Sequence, residues 1–200
     1  NEYPDISALH INLKKFTSKI IINIVDNDYG PGTKLLGITN SNVINIQEDN
    51  TFIVLVDDDL VYKPYMLEYF DRCNSENYNN KCLVASFYCY NHNEIIIGQG
   101  ADGLFIKSHL LDNFNKYYNI INTFEYINYH DDYYISYYFH IKKIRINYFI
   151  APYNKQINDF NYINQNNALV EIKGKNSRTN LNYNIYRILT KLNFVKLFDI

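Results

Sequence analysis

The run Phe52-Ile53-Val54-Leu55-Val56, followed at once by Asp57-Asp58-Asp59, constrains this chain more than any other stretch. An unbroken apolar run of this length, β-branched at two positions, reads as a buried central strand. Such a strand cannot carry three charges inward, so the acids belong where it emerges, at its carboxyl end. In open α/β sheets that edge is where ligands bind. Carboxylates packed together repel one another unless a cation or hydrogen-bond donors hold them, which points to a divalent ion, Mg²⁺ or Mn²⁺, held by Asp57 and Asp59 and shared with a diphosphate. The ordinary alternative is that one Asp caps the next helix and the others are solvated.

Other strands and helices alternate around this one. Residues 19–25 (KIIINIV) form a second candidate for a buried strand. The turn Tyr29-Gly30-Pro31-Gly32 follows, and Thr33 is placed to cap a short helix over residues 34–38. Pro64 suits the first turn of a helix reaching about Cys73, with Met66, Leu67 and Phe70 on one face. Residues 82–90 read as a strand. Residues 94–97 and 104–106 read as two short strands around the glycine-rich segment 98–103. Ser108 is a candidate cap for the next helix, with Leu110, Leu111 and Phe114 inward. Residues 131–139 read as a helix with acids at its start, where the macrodipole favours them, and residues 144–150 as a strand. Residues 154–180 are polar and loop-like.

Residues 181–198 form an amphipathic helix, its stripe made by Leu181, Ile185, Ile188, Leu192 and Val195. Core packing or a subunit contact explains the stripe better than a membrane surface does, and it permits a homodimer. The alternation predicts an α/β fold, a mixed, mostly parallel sheet with helices on both faces, in a single domain over residues 1–200.

Composition excludes more than it identifies. A formal charge of −2 leaves no basic footprint, so nucleic acid is not expected as a partner. No run is long and apolar enough for a transmembrane segment. The three cysteines, Cys73, Cys82 and Cys89, are spaced unlike metal ligands and read as idle thiols in a reducing compartment, which places the chain in the cytoplasm. Abundant Asn, Ile, Tyr and Lys resemble the output of an AT-rich coding genome more than a functional device.

Three further groups carry chemistry. His130-Asp131-Asp132 opens a helix, where a carboxylate is placed to take a proton from an acceptor hydroxyl, and where Asp is also simply a good cap. His130 itself reads as a packing histidine. Gly100-Ala101-Asp102-Gly103 permits close approach of backbone to a ligand, although a plain turn uses glycines equally well. Lys34, after Gly30-Pro31-Gly32-Thr33, is placed to set its ammonium on a phosphate.

The order of these pieces, residues 28–36 (DYGPGTKLL), then IVLVDDD with Tyr62 shortly after, then GADG, then Asp131-Asp132 with Ser136, resembles the GT-A-type glycosyltransferases, family-2-like members in particular. The likeness covers most of residues 20–150. It implies a Rossmann-like domain binding a nucleotide-sugar donor through a divalent cation. Asp57 would then contact ribose or assist the metal, and Asp59 would ligate it. Lys34, Asp57, Asp58, Gly100, Asp102 and Gly103 would line the donor site. Asp131 and Asp132 match the acidic pair that supplies the catalytic base in inverting members, with Asp132 as the base. The acceptor would be a hydroxyl of a glycan, a protein or a small molecule. About twenty residues precede KIIINIV, where such domains usually carry a nucleoside-recognising strand, so that strand is missing from this piece or replaced by residues 6–16. No Gln-x-x-Arg-Trp is present, which disfavours a processive synthase. A nucleotidyltransferase and an inactive glycan-binding relative are the rival readings.

Overall fold

The computed structural model describes residues 20–41, 51–58, 60–75, 82–124, 127–149, 158–160 and 178–192. Its centre is a four-stranded mixed sheet, in the order β1 (Phe52–Leu55), β6 (Leu104–Lys107), β3 (Val84–Ser86), β7 (Ile146–Tyr148). The period-two alternation of strand side chains sorts these residues between two cores. Ile53, Leu55, Val84, Leu104 and Ile106 enter the larger one, beneath α1 (Thr33–Thr39), α3 (Phe114–Ile121), α4 (Asp131–Ile141) and α5 (Arg178–Lys191). Phe52, Val54, Ala85 and Phe105 face the smaller one, where α2 (Tyr65–Ser75) supplies Met66 and Phe70. Phe70 stacks on Phe105 with ring centroids 5.6 Å apart. Helices therefore cover both faces of an α/β sheet, as the alternation predicts.

The strand directions correct the expectation of a mostly parallel sheet. β1 pairs with β6 antiparallel and β6 with β3 antiparallel, and β3 with β7 is the parallel ladder. The cause is local. Between β3 and β6 the chain makes no helical crossover of the kind a parallel return beside β3 needs, and it enters β6 from the 3₁₀ turn Gly100–Asp102. Its flanking strands do not pair with each other, because β5 (Ile95–Gly98) pairs with β4 (Cys89–His92) as a hairpin. The strand expected over residues 82–90 is split in two. Ser86 Oγ accepts from the Tyr88 N–H at 3.3 Å and lies 3.0 Å from the Gln99 carbonyl oxygen, bending the chain between β3 and β4.

Other expectations are corrected at single elements. Residues 20–25 form no strand, and Ile21 and Ile24 are 72 % and 63 % exposed. A strand needs a ladder partner, and here the segment is tied to α1 by one bond from Asn23 Nδ2 to the Gly37 carbonyl, 2.8 Å. Thr33 is the first residue of α1 rather than its cap, and its Oγ1 accepts from the Tyr29 N–H at 2.9 Å. Ser108 begins a 3₁₀ turn and its buried hydroxyl caps nothing. Leu67 is exposed while Met66 and Phe70 are buried. Within the loop-like stretch, β8 (Asn158–Phe160) pairs antiparallel with β2 (Leu60–Tyr62). Cys82 is disulfide-bonded, against the expectation of idle thiols, and Cys89 keeps a thiol that burial pushes up to about 11. Disulfides persist in oxidising compartments, so Cys82 lends the cytoplasmic placement no support.

Of the predicted C-terminal stripe, Ile185 is fully buried and Leu192 packs half-buried against the core, while Ile188 is half-buried; Leu189, which the stripe did not include, is fully buried as well. Val195, like Asp59, lies outside the described residues. Among the described residues no helix is long and apolar enough to cross a membrane.

Candidate functional site

The carboxyl end of β1 is where the sequence-predicted residues converge. Asp57 follows the strand by two residues, and its backbone N–H donates to Tyr62 Oη at 2.8 Å. The same hydroxyl donates to the Ala101 carbonyl at 3.0 Å. Tyr62 thus ties the acidic turn to the glycine turn. Burial, then the charge of Asp57, pushes its phenol up to about 12, against the lowering pull of the bond from the Asp57 N–H and of Lys34, so it stays a neutral donor. Asp102 is half-buried in the same turn, close enough to add to that rise.

Lys34 reaches the site from the first turn of α1. That turn is set by Gly30, at φ +60°, and by Gly32, whose missing Cβ would lie 1.7 Å from Tyr134 Oη. Only glycine lets α1 approach α4 so closely. Lys34 Nζ then lies 2.6 Å from Asp57 Oδ1 and 2.9 Å from Asp131 Oδ2. Burial alone would lower the ammonium's pKa, but Asp131, Asp57 and Asp132 outweigh it and raise the pKa above the ordinary lysine value. The approach to Asp131 Oδ2 is off the hydrogen-bonding angle, so that buried oxygen has an ion-pair contact but no directed donor.

Asp132 sits beside this pair at the start of α4. Its Oδ1 accepts the Gly100 N–H at 2.9 Å. A Cβ on Gly100 would lie 3.0 Å from Lys34 Nζ and 3.2 Å from Asp132 Oδ1, so this glycine makes room for both. Burial, then the adjacent Asp131, pushes the Asp132 carboxyl up to about 7, while Lys34 and the Gly100 N–H pull the other way. One helical turn on, Ser136 Oγ accepts the Gly98 N–H at 3.1 Å, so the end of β5 is fastened along α4 at two points.

The fold therefore brings Lys34, Asp57, Gly100, Asp131 and Asp132 together. Lys34, expected on a phosphate, rests on carboxylates. Asp58 is exposed beside them. Gly103, at φ +86°, packs on Phe70 and Met66, where a Cβ would approach to 3.0 Å. His130 is buried at the helix start, as a packing histidine would be. Tyr62 is the member that sequence reasoning left out of the site; its position shortly after the triplet was the available signal. Among the described residues no group of three His, Cys, Asp or Glu side chains converges as a ready metal cage. Asp57 nevertheless offers a hard oxygen to a divalent ion, since its second oxygen has no partner among the described residues.

Two cavities, of about 210 and 270 Å³, lie elsewhere, along β4, β5 and β7, and neither takes in the Lys34 cluster. No protein-family model matches the chain, and no curated protein or solved structure matches it either.

Proposed function

We propose that the chain is a glycosyltransferase that moves a sugar from a nucleotide-sugar donor to a hydroxyl acceptor, one transfer per encounter, on a GT-A-like fold. The observation that carries this reading is Asp132. It is a carboxylate held by a backbone N–H, with a pKa near neutrality, one residue from the ion pair that links α4 to the acidic end of β1. A general base works best when its pKa lies near the working pH.

In this reading the acceptor hydroxyl gives its proton to the Asp132 carboxylate as its oxygen attacks the anomeric carbon of the donor. The bond from that carbon to the diphosphate oxygen breaks, and the electron pair leaves with the nucleoside diphosphate. Asp57, with Asp59 beside it in the sequence, would hold Mn²⁺ or Mg²⁺, which when bound offsets the leaving charge. Lys34 pairs with Asp57 and Asp131 and orients them, and its ammonium adds positive charge to the same corner. Tyr62 fixes the backbone of Asp57 against the Gly100–Asp102 turn.

The test is a panel of nucleotide-sugars with and without Mn²⁺, read first by melting temperature and then by release of nucleoside diphosphate. A stabilising donor should raise the melting temperature more with metal present. Asp132→Asn should keep that rise and lose turnover by at least about 100-fold, the usual scale of general-base catalysis. A panel with no stabilising donor, or an Asp132→Asn variant that turns over normally, overturns the proposal.

A further inference from the structure

The two cavities away from the Lys34 cluster adjoin, sharing Ile96, Arg145 and Ile146 in their walls. Joined, they fall within the size of pockets that take small ligands, about 300–1,000 Å³. The first has a cationic rim. Lys143 and Arg145 line it, both are exposed, and neither makes an ion pair among the described residues. The acid on the rim is Glu94, which does not pair with them. Its floor is Ser136, 1 % exposed, whose oxygen accepts the Gly98 N–H and so leaves its own proton to be donated. The second cavity is aromatic: Tyr88, Tyr90 and Tyr148 line it, with Tyr88 48 % and Tyr148 59 % exposed.

The backbone around the first cavity is strained at two places. Helix α4 ends in a Schellman motif, with the Lys143 N–H on the His140 carbonyl at 3.0 Å and the Ile144 N–H on the Phe139 carbonyl at 2.9 Å. The residue at its left-handed position is normally glycine, yet here it is Lys143, at φ 57°. The two-residue turn of the β4–β5 hairpin ends on Glu94, at φ 70°, where glycine is again the favoured residue. Such conformations cost on the order of 1–3 kcal/mol each and gather at ligand sites. Glu94 and Lys143 line this cavity, whereas Asn93, at φ 49° in the same hairpin turn, does not.

We infer that the joined cavities form a binding site for an anionic sugar, a hexose bearing a phosphate or a carboxylate, with the anion on Arg145, Lys143 and Ser136 and the ring on Tyr88 and Tyr148. A guanidinium matches either anion with two parallel bonds, and the C–H face of a pyranose lies flat on an aromatic ring. The site stands whether or not the Lys34 cluster transfers sugars. Calorimetric titration of the full chain tests it with glucose 6-phosphate and glucuronate as probes, and methyl glucoside and inorganic phosphate as controls. Binding of either anionic sugar is expected at least tenfold tighter than both controls. Arg145→Gln should weaken it tenfold or more, Lys143→Gln and Tyr148→Ala severalfold, and Asp57→Asn should leave it unchanged. Both side chains changed for charge are exposed, so the variants fold. Failure of both probes to bind, wild-type affinity in Arg145→Gln, or loss of binding in Asp57→Asn would each overturn the inference.

Discussion

Replacing Asp132 by Asn should make this protein more stable at pH 8 while removing the proposed base. The native carboxyl titrates near 7, against 3.8 for an unstrained aspartate, because burial and Asp131 oppose its ionisation. A raised acid pKa destabilises the fold from the ordinary value upward. Below about pH 4 the proton is bound in both states and nothing is lost. Between about 4 and 7 the unfolded chain releases it while the native state holds it, so stability falls as pH rises, and above about 7 the cost is constant. At 1.36 kcal/mol per unit the full gap would be about 4 kcal/mol. Asp132 is only half-buried, so solvent screening reduces the expected cost to about 1–3 kcal/mol. Asn keeps an oxygen for the Gly100 N–H and sheds the charge. Urea titrations of both proteins at pH 4 and pH 8 should show the variant ahead by that margin at pH 8 and level at pH 4. In melting temperature the gain is about 3–10 °C for a chain of this size. A variant that is less stable at pH 8, or a gap that is the same at both pH values, would refute the electrostatic account of this site.

Lys34→Met should cost about 2–3 kcal/mol, the low end for breaking a buried ion pair because Asp57 is a third exposed. Lys34's own raised pKa keeps its charge in place below about 10.5, and because Lys34 also favours the ionised form of Asp132, which titrates near 7, the loss should grow as pH rises from 6 to 9 in urea titrations. Gly32→Ala should destabilise by roughly 3 kcal/mol, since the added methyl meets Tyr134 Oη and that ring is fully buried; an unchanged melting temperature would contradict the packing of α1 on α4. Lys143→Gly should stabilise by about 1 kcal/mol by relieving the left-handed position, and calorimetry should show it losing affinity for anionic sugars.

What the sequence discloses here is the local chemistry of single segments. The run at residues 52–56 makes a strand with a core on each face, β1, and Asp57 lies just past it; but β1 stands at the edge of the sheet rather than at its centre, and Val56, beyond its end, is exposed. The acids at residues 131–132 start a helix, and the glycine at residue 100 permits a close approach, realised by Asp132 and Lys34 together. Partnership across the chain is another matter. KIIINIV has the composition of a buried strand, but composition does not supply a ladder partner, and Ile21 stays in solvent. Strand direction depends on which strands become neighbours, and β6 lies beside β1 and β3 rather than beside β5, which precedes it in the chain. A lysine near a turn has the same one-dimensional signature whether it meets a phosphate or a carboxylate. Lys143 carries no sequence signal at all, because its strain comes from the way α4 ends.

The charge of the assembled corner decides which of its ligands is reasonable. Asp57 and Asp131 share one ammonium, and Asp132 adds a further negative charge only as pH passes about 7. The corner is therefore already anionic before any substrate arrives. A diphosphate brought there alone would be repelled, and Lys34 cannot serve it without releasing Asp57 or Asp131. Releasing either would leave a partly buried carboxylate unpaired, a loss comparable to breaking the ion pair outright. A divalent ion entering with the diphosphate removes that conflict, because it adds positive charge while Lys34 stays in place. The proposed dependence on Mn²⁺ or Mg²⁺ thus rests on Lys34 being committed to two carboxylates. It does not require the acidic triplet to form a cage by itself.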